Sequence, residues 1–327
     1  MRIVLDAMGT DRAPESEVAG AVGALRDLDE DIEIVLIGDR EIVEAELSKH
    51  ADFPRARLSV EHAPDRVLPS EPPASVLRKR PDSSIVRGLR LQKEGKADAF
   101  VSAGSTGAVM AASLFILKPL EGVVRPAVGT MLPTAKDPVL MLDAGANVDC
   151  KPQHLVQFAH LGHIYAQDLM GRERPRIGLL NIGEEPEKGD DLSIETHQLL
   201  SKDPGIHFVG NIEGREIIRG TCDVLVCDGF VGNVLLKFYE SVAQFIVRYL
   251  RQELQRAGAE TDLSDALRVL DYSEYGGAPL LGVNGVSIIC HGGSSPKAIR
   301  NAIRVAAQSV RSSMVEHIAR DLAKEPV

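Results

Sequence analysis

Short apolar runs recur along the chain, and most end in a loop rich in glycine and polar side chains. Runs that are apolar throughout, without alternation, are typical of parallel strands covered on both faces. Helical patterns lie between them. This alternation predicts an α/β fold, a doubly wound, mostly parallel sheet with helices on both faces. The predicted strands are Arg2–Leu5, Ile34–Ile37, Ala99–Val101, Val139–Leu142, Ile177–Leu180, Val224–Cys227 and Val286–Cys290.

The apolar periodicity also predicts the helices. They are Ser16–Leu28, Glu41–Lys49, Ser84–Glu94, Gly107–Leu117, His154–Met170, Asn233–Arg256 and Pro296–Lys324, with a polar surface loop at Ala257–Ser264. A chain of 327 residues is long enough for one large core. We therefore expect a single catalytic domain over residues 1–327, with part of the central region and helix 233–256 as a candidate smaller lobe for dimerisation. One face of helix 233–256 is apolar, which fits docking on the core, on a twin subunit or on a membrane surface.

Composition excludes several classes of protein. A net charge of −10 argues against nucleic-acid binding, which needs a positive surface. No apolar run approaches the roughly 20 residues that span a bilayer, and Met1-Arg2 leads directly into an apolar run too short for a signal peptide, so a cytoplasmic location is expected. The four cysteines lack metal-binding or redox spacing, and Cys222 and Cys227 are expected to be buried.

The loops after the strands are where a ligand is expected. In doubly wound folds, ligands bind beyond the carboxyl ends of the strands. The loop Ser102–Ala108 contains two glycines and three hydroxyls before a helical pattern. Backbone N–H groups at a helix start suit a phosphate-sized anion. The alternative is a tight turn whose hydroxyls only cap the helix.

Three other positions are candidates for chemistry. Lys188, in an acidic loop, suits a bound phosphate or is an incidental charge on a solvated loop. Asn233, at the predicted start of a helix after Asp228–Gly232, either caps that helix or contacts a ligand. His291 follows a strand and precedes a flexible loop, a position for proton transfer or for a structural hydrogen bond. Cys290 is rejected as a nucleophile because strand alternation points it away from His291.

A basic patch steps along one predicted helix. Arg87, Arg90 and Lys93 are three residues apart and share a face. On an acidic protein, this patch suits an acidic partner; the alternative is a solvated face.

Taken in order, the loops resemble the phosphate acyltransferase family of bacterial phospholipid synthesis. The matching segments cover nearly the whole chain and are Asp6–Gly9, Ser102–Ala108, Glu121–Ala127, Gly145–Asp149, Asn181–Glu185, Lys188–Gly189, Cys227–Asn233, Leu281–Gly285 and His291–Gly292. Thr10 and Ser105 depart from the family pattern, which usually has Gly and Asn there.

The resemblance implies an enzyme that moves a long-chain fatty acyl group from acyl carrier protein to inorganic phosphate, forming acyl phosphate. It further implies a homodimer, peripheral membrane association, no cofactor, no metal, and a fold related to those of isocitrate and isopropylmalate dehydrogenases and phosphotransacetylase. The basic patch is then the candidate docking site for the carrier protein.

The family motifs and the loop chemistry together give the predicted site. His291, Lys188 and Asn233 are the expected catalytic residues, with His291 donating a proton to the departing sulfur. The expected phosphate or substrate ligands are Asp6, Gly9, Ser102, Gly104, Ser105, Thr106, Gly107, Asn147, Asn181, Gly183, Glu184, Asp228, Gly229 and Gly232.

Three alternatives stay open. A short-chain phosphotransacetylase takes its acyl group from coenzyme A. A nicotinamide dehydrogenase of the related fold needs a metal-binding Asp cluster, which the sequence lacks. A non-catalytic lipid-binding protein binds acyl chains and releases no thiol.

Overall fold

The computed structural model describes residues 1–68, 70–256 and 274–323. The chain divides into two compact units, one formed by Met1–Pro126 with Tyr275–Val327 and the other by Ala127–Glu274. Each unit contains its own block of strands and helices. The predicted polar loop Ala257–Ser264 lies outside the described residues, and the single catalytic domain with a dimerisation lobe stays a prediction.

All seven predicted strands are present, and four more join them. The strands are β1 (Arg2–Asp6), β2 (Glu33–Gly38), β3 (Leu58–His62), β4 (Ala99–Ser102), β5 (Ala127–Leu132), β6 (Val139–Leu142), β7 (Ile177–Asn181), β8 (Phe208–Glu213), β9 (Val224–Val226), β10 (Ala278–Leu281) and β11 (Val286–Ile289).

The predicted helices are also present, with shifted ends. The helices are α1 (Glu15–Asp27), α2 (Arg40–Leu47), α3 (Val76–Lys79), α4 (Ser84–Lys93), α5 (Thr106–Ile116), α6 (Pro152–Met170), α7 (Asp191–Leu200), α8 (Gly214–Ile217), α9 (Gly229–Arg256), α10 (Pro296–Arg311) and α11 (Met314–Leu322). The predicted last helix is therefore two helices, because Ser313 between them adopts a left-handed conformation with φ of 53°.

In the first unit, the strand order is β3-β2-β1-β4-β11-β10. All neighbours are parallel except β10, which runs antiparallel to β11. Helices α1 and α10 pack together, as do α4 and α5, and both pairs contact the sheet. Every residue of β4 and β11 is buried, so both faces of the sheet are covered, as expected for parallel strands.

In the second unit, the order is β5-β6-β9-β7-β8, parallel except for β5, which is antiparallel to β6. Helix α6 packs against β6 and β9, and α7 packs against β7 and β8. The predicted doubly wound, mostly parallel α/β architecture is confirmed.

Helix α9 differs from the other long helices because its apolar face is exposed. It begins at Gly229, four residues before the predicted start, and of its 28 residues Gly229, Gly232 and Ala243 are buried. Docking of its whole apolar face on the core of its own unit, one of the predicted alternatives, is therefore wrong. Large exposed side chains include Val234, Phe238, Val242, Phe245, Ile246, Tyr249 and Leu250. By length and composition, α9 is the one helix in the described part of the chain that is long and apolar enough to cross a membrane, so the expectation that no apolar segment approaches this length is wrong for α9.

Candidate active site

Three loops of the first unit lie at one edge of its sheet. Strands β1, β4 and β11 are parallel neighbours, so the loops that follow their carboxyl ends are adjacent. Asp6 and Ser102 are the last residues of β1 and β4, and His291 lies in the loop after β11. Three of the loops in which a ligand is expected are therefore neighbours in this unit.

Asp6 organises these loops. Its carboxylate is 1% exposed; Oδ2 accepts a 2.7 Å hydrogen bond from Ser102 Oγ, and Oδ1 accepts one of 3.0 Å from the Met8 amide. Ser84, at the start of α4, adds another hydrogen bond. Burial raises the pKa of Asp6. Because both carboxylate oxygens accept hydrogen bonds from the protein, Asp6 supports the loop, and its expected role as a phosphate ligand stays a prediction.

Gly9 and Gly104 bring two of the loops into backbone contact. A Cβ atom at Gly9 would lie 2.6 Å from the Gly104 nitrogen, so no larger residue fits there without a shift of the backbone. The Gly104 amide donates to Ser102 Oγ at 3.1 Å. Gly9 therefore lets the backbones of the two loops come into contact. The Gly104 amide is held by the Ser102 hydroxyl, which also bonds to Asp6.

Helix α5 begins at Thr106 with an exposed, uncapped N-terminus. Within the described residues, the N-cap residue Ser105 makes no side-chain cap hydrogen bond. Capping side chains are present at α2, α4, α7 and α10, from Asp39, Ser83, Asp190 and Ser295. The first N–H groups of a helix have no partner within the helix, and they attract anions.

At this helix start, Thr106 is exposed, and Ser105 and Gly107 are half-buried. The alternative in which Ser105 merely caps the helix is therefore excluded, and α5 offers the geometry of an anion site.

His291 is exposed at the end of β11, and its ring orientation is fixed by its own turn. Its Nδ1 accepts a 3.0 Å hydrogen bond from the Gly293 amide, and its carbonyl accepts one from the Ser294 amide. An Nδ1 that accepts leaves the hydrogen of the neutral ring on Nε2. Cys290 beside it is buried, and burial raises its thiol pKa to about 12, which agrees with its rejection as a nucleophile.

In the second unit, the loops after β6, β9 and β7 are also adjacent, because these strands are parallel neighbours. Asp143 organises them as Asp6 does in the first unit. Its oxygens accept hydrogen bonds from the amides of Val128 at 2.9 Å and Asn147 at 2.6 Å and from the Asn147 side chain at 2.9 Å. Burial raises the pKa of Asp143. Asn147 is thereby a buried support for this loop, and its expected role as a substrate or phosphate ligand stays a prediction.

Backbone amides at the start of α9 already donate hydrogen bonds to acceptors within the protein. Asp228 accepts hydrogen bonds from the amides of Phe230 and Val231, and the Gly229 amide donates to the Asn147 carbonyl. A Cβ atom at Gly232 would clash with the Asp143 carbonyl oxygen, so glycine is required by packing. The Gly229 and Gly232 amides are therefore used within the protein and a carboxylate occupies the helix end, and the phosphate-binding role expected for these two residues stays a prediction.

Asn233 lies inside α9 and does not cap it, since Asp228 does. Its side chain is half-buried and lies beside Gly145, where a Cβ atom would be 3.3 Å from Asn233 Cβ. The capping alternative for Asn233 is wrong, and the ligand-contact alternative stays a prediction.

The Lys188 loop is shaped by Asn181. The Asn181 side chain accepts from the Ile182 amide at 2.8 Å and donates to the Lys188 carbonyl at 2.9 Å. Gly183 is buried under the Lys188 side chain, and Glu184 pairs with Arg215 at 3.7 Å. Asn181 and Gly183 therefore shape the loop, while the exposed Glu184 pairs with a residue outside it. The ligand roles expected for these three residues stay predictions, and the exposed Lys188 can meet an anion.

The basic patch lies on α4 and is partly neutralised. Arg87 pairs with Glu61 at 3.3 Å, and Arg90 donates to the Pro81 carbonyl at 3.1 Å. Arg87 and Arg90 line a cleft of about 320 Å³ that also contains acidic side chains. Lys93 is exposed, so Arg90 and Lys93 carry the outward charge of the patch.

In residues 1–68, 70–256 and 274–323, no three His, Cys, Asp or Glu side chains lie close enough together to hold a metal ion. The expectation that no metal or cofactor is needed stays a prediction.

The model of the family described as fatty acid synthesis protein matches residues 1–317. A phosphate acyltransferase from Desulforamulus reducens is 50% identical, with 99% of this chain and 98% of the relative covered. One from Heliobacterium modesticaldum is 49% identical, with 97% and 98% covered. The chain belongs to the phosphate acyltransferase family. The predicted family and enzyme class are therefore confirmed.

Solved structures agree with the fold. A phosphotransacetylase from Staphylococcus aureus superposes with a TM-score of 0.62 at 18% identity, covering 95% of this chain and 94% of that one. A 4-hydroxythreonine-4-phosphate dehydrogenase from Klebsiella pneumoniae gives 0.50 at 14% identity, covering 98% and 99%. The predicted likeness to the phosphotransacetylase fold is confirmed.

Two supporting carboxylates escaped the sequence prediction of the site. Asp143 directly follows a predicted apolar strand, as Asp6 does. This shared position is the feature of the sequence that could have identified Asp143 as part of the site. Glu17 occupies a core-facing position of α1, is fully buried, and bonds to Thr10. An acidic residue among the apolar positions of a helix was the signal there.

Proposed function

We propose that this member of the phosphate acyltransferase family transfers a long-chain fatty acyl group from acyl carrier protein to inorganic phosphate, with phosphate bound at the N-terminus of α5. The observation that carries the proposal is the uncapped start of α5 at the edge where the loops after β1, β4 and β11 meet. Helix N-termini bind phosphate through backbone N–H groups and the helix dipole.

The proposed reaction needs no protein nucleophile. A phosphate oxygen attacks the thioester carbonyl carbon and forms a new C–O bond, and the carbonyl oxygen gains negative charge. The C–S bond then breaks, and the acyl group remains on phosphate as acyl phosphate. The carrier leaves as a thiolate, which then takes up a proton. Burial raises the thiol pKa of Cys222 and Cys290 to about 12, so neither fits the role of an attacking thiolate. The protein supplies alignment and charge stabilisation.

His291 is proposed to donate a hydrogen bond from Nε2 to the departing sulfur. The Gly293 amide faces Nδ1 at 3.0 Å, which favours the neutral ring with its hydrogen on Nε2. A hydrogen bond to a developing thiolate stabilises the transition state more than the ground state.

Lys188 is proposed to attract phosphate as an exposed point charge, and Asn233 to donate an amide hydrogen bond to a reacting oxygen.

The proposed acyl donor is acyl carrier protein, docked at Arg90 and Lys93. The outward charge of these two side chains suits an acidic partner. Arg87 contributes less, because Glu61 neutralises it. A coenzyme A donor is the alternative, and it needs no protein-docking surface.

Helix α9 is proposed to form contacts outside its own subunit. Phe238 and Phe245 are each 66% exposed along its apolar face, and such a face is expected to be covered in a working protein. A homodimer partner and weak contact of a cytoplasmic enzyme with a membrane surface are the proposed occupants.

The test is product formation. Purified protein is incubated with palmitoyl carrier protein and phosphate, residual thioester is removed, and acyl phosphate is trapped with hydroxylamine. The proposal predicts phosphate-dependent hydroxamate and release of carrier thiol. Faster reaction with acetyl coenzyme A would indicate a short-chain phosphotransacetylase, and acyl binding without thiol release would indicate a lipid-binding protein.

A further inference from the structure

Glu17 is a buried carboxylate that contacts the first loop of the site. It lies in α1 with no exposed surface, and both of its oxygens bond to Thr10: Oε1 accepts from the Thr10 amide at 2.6 Å and Oε2 from Thr10 Oγ1 at 2.9 Å. Thr10 itself is 1% exposed. An apolar residue at position 17 would be cheaper to bury, but it would leave the Thr10 amide without an acceptor.

Thr10 is connected onward to the His291 turn. Its carbonyl accepts a 2.8 Å hydrogen bond from Arg66, and the next amide, that of Asp11, donates to the Gly292 carbonyl at 2.8 Å. Gly292 belongs to the turn in which the Gly293 amide fixes His291 Nδ1. A displacement of Thr10 is therefore expected to move the peptide beside His291 and rotate its ring.

We infer, on the basis of the proposed function, that Glu17 is a positioning residue for acyl transfer. It holds Thr10, and through the hydrogen bond between Asp11 and Gly292 it sets the orientation of the His291 ring.

The ionisation of Glu17 makes this role measurable. Burial raises its pKa from 4.5 to about 7. Asp6 on β1 adds to this effect, Cys290 lies nearby with an uncharged thiol, and Arg66 lies on the other side of Thr10. The ionised form accepts both Thr10 hydrogen bonds with charge assistance and is expected to hold the loop more tightly. Gln at this position can accept from the amide and donate to Oγ1, so it imitates the protonated acid.

The sign of the effect on stability follows from the same pKa. Folded Glu17 keeps its proton up to about pH 7, whereas the unfolded chain loses it near 4.5, so wild-type stability falls as the pH rises between these values. Glu17→Gln removes this fall. The unfolding free energy of Glu17→Gln relative to wild type is therefore expected to increase with pH. The ratio of the wild-type kcat to the Glu17→Gln kcat is expected to increase over the same range. A purely structural role of Glu17 does not predict that the variant becomes relatively more stable and relatively slower at the same time.

The test is a double-mutant cycle between positions 17 and 291 in the full-length protein, measured as kcat with palmitoyl carrier protein and phosphate. Glu17→Leu is expected to lower kcat about tenfold or more with little change in the phosphate KM. In a protein that already carries His291→Ala, adding Glu17→Leu should lower kcat by less than about twofold, because the effect of Glu17 on kcat acts through His291. Additive losses, or an unchanged kcat in Glu17→Leu, would overturn the inference.

Glu17→Gln is the second variant and covers the case in which Glu17→Leu does not fold. At pH 6 the kcat of this variant should be within about threefold of the wild-type kcat. The ratio of the wild-type kcat to the variant kcat should then increase about threefold between pH 6 and pH 8. A constant ratio across this range overturns the inference. If wild type forms no acyl phosphate, the proposed function fails; if wild type is active and the cycle is additive, the positioning role alone fails.

Discussion

Ser102 Oγ donates a 2.7 Å hydrogen bond to Oδ2 of Asp6, and both side chains are buried at the edge where β1 and β4 end. The same hydroxyl accepts from the Gly104 amide at 3.1 Å. One serine therefore connects a buried acid to the loop that leads into α5. This connection explains how a glycine-rich loop is kept in one conformation at the place where we propose that phosphate binds.

Ser102→Ala is expected to loosen this loop. It leaves buried Asp6 short of a donor and Gly104 without its acceptor, which should cost about 1–3 kcal/mol of unfolding free energy and raise the phosphate KM about tenfold. Thermal unfolding and initial rates measure both. Ser113→Ala is the matched control, since it removes a buried hydrogen bond of 3.1 Å to Ser287 farther along α5. Equal phosphate KM values in the two variants would contradict this role.

Lys188→Met is expected to raise the phosphate KM about tenfold or more, because the exposed ammonium no longer attracts the anion. Steady-state kinetics at varied phosphate measure this change. Lys202→Met removes another exposed lysine of the same unit and should leave the phosphate KM at the wild-type value. If both variants match wild type, Lys188 has no part in phosphate binding.

His291→Gln and His291→Asn separate the two ring nitrogens. Gln can place its amide nitrogen near the position of Nε2, so kcat should fall less than about tenfold, whereas Asn and Ala should lose about a hundredfold. Burst-phase measurement of carrier thiol release reports the chemical step. A better rescue by Asn than by Gln would reject Nε2 as the donor to the leaving sulfur.

Charge reversal of the basic patch tests the choice of donor. Arg90→Glu with Lys93→Glu should lower kcat/KM for palmitoyl carrier protein about tenfold at low salt, with a smaller effect at high salt because screening weakens steering. The rate with palmitoyl pantetheine, which lacks the carrier protein, should not change. Lys202→Glu is the control at an exposed position outside α4. Equal losses with both donors would contradict a docking role.

The fold could be predicted to a large extent because its buried parallel strands are apolar throughout. Three of the four strands that were not predicted, β3, β8 and β10, are short or half-exposed. In β3, exposed and buried residues are interleaved, and β8 is half-exposed and interrupted by Gly210. Strand β10 is four residues long and contains a proline. Such segments lack the continuous apolar signal, and their pairing depends on tertiary contacts.

The sequence was sufficient to predict which loops lie near the site, but not the role of each residue within them. Asp6 and Asn147 are predicted to bind a ligand, but Asp6 accepts from the Met8 amide in its own loop, and Asn147 donates both its amide and its side chain to Asp143. The sequence does not determine which polar atoms a loop uses for itself. The start of α9 shows the same limit, since Asp228 caps the helix and removes the amides that an anion would need.

The most direct test of phosphate binding at α5 is a comparison of Ser105→Asp with Ser105→Asn. Both side chains can cap the helix, so both proteins should be as stable as wild type or up to about 1 kcal/mol more stable. Asp alone adds negative charge where we propose that phosphate binds. We predict a phosphate KM at least about tenfold higher for Ser105→Asp than for Ser105→Asn, at unchanged KM for the acyl donor. Equal phosphate KM values in these two folded variants would contradict an anion site at the start of α5.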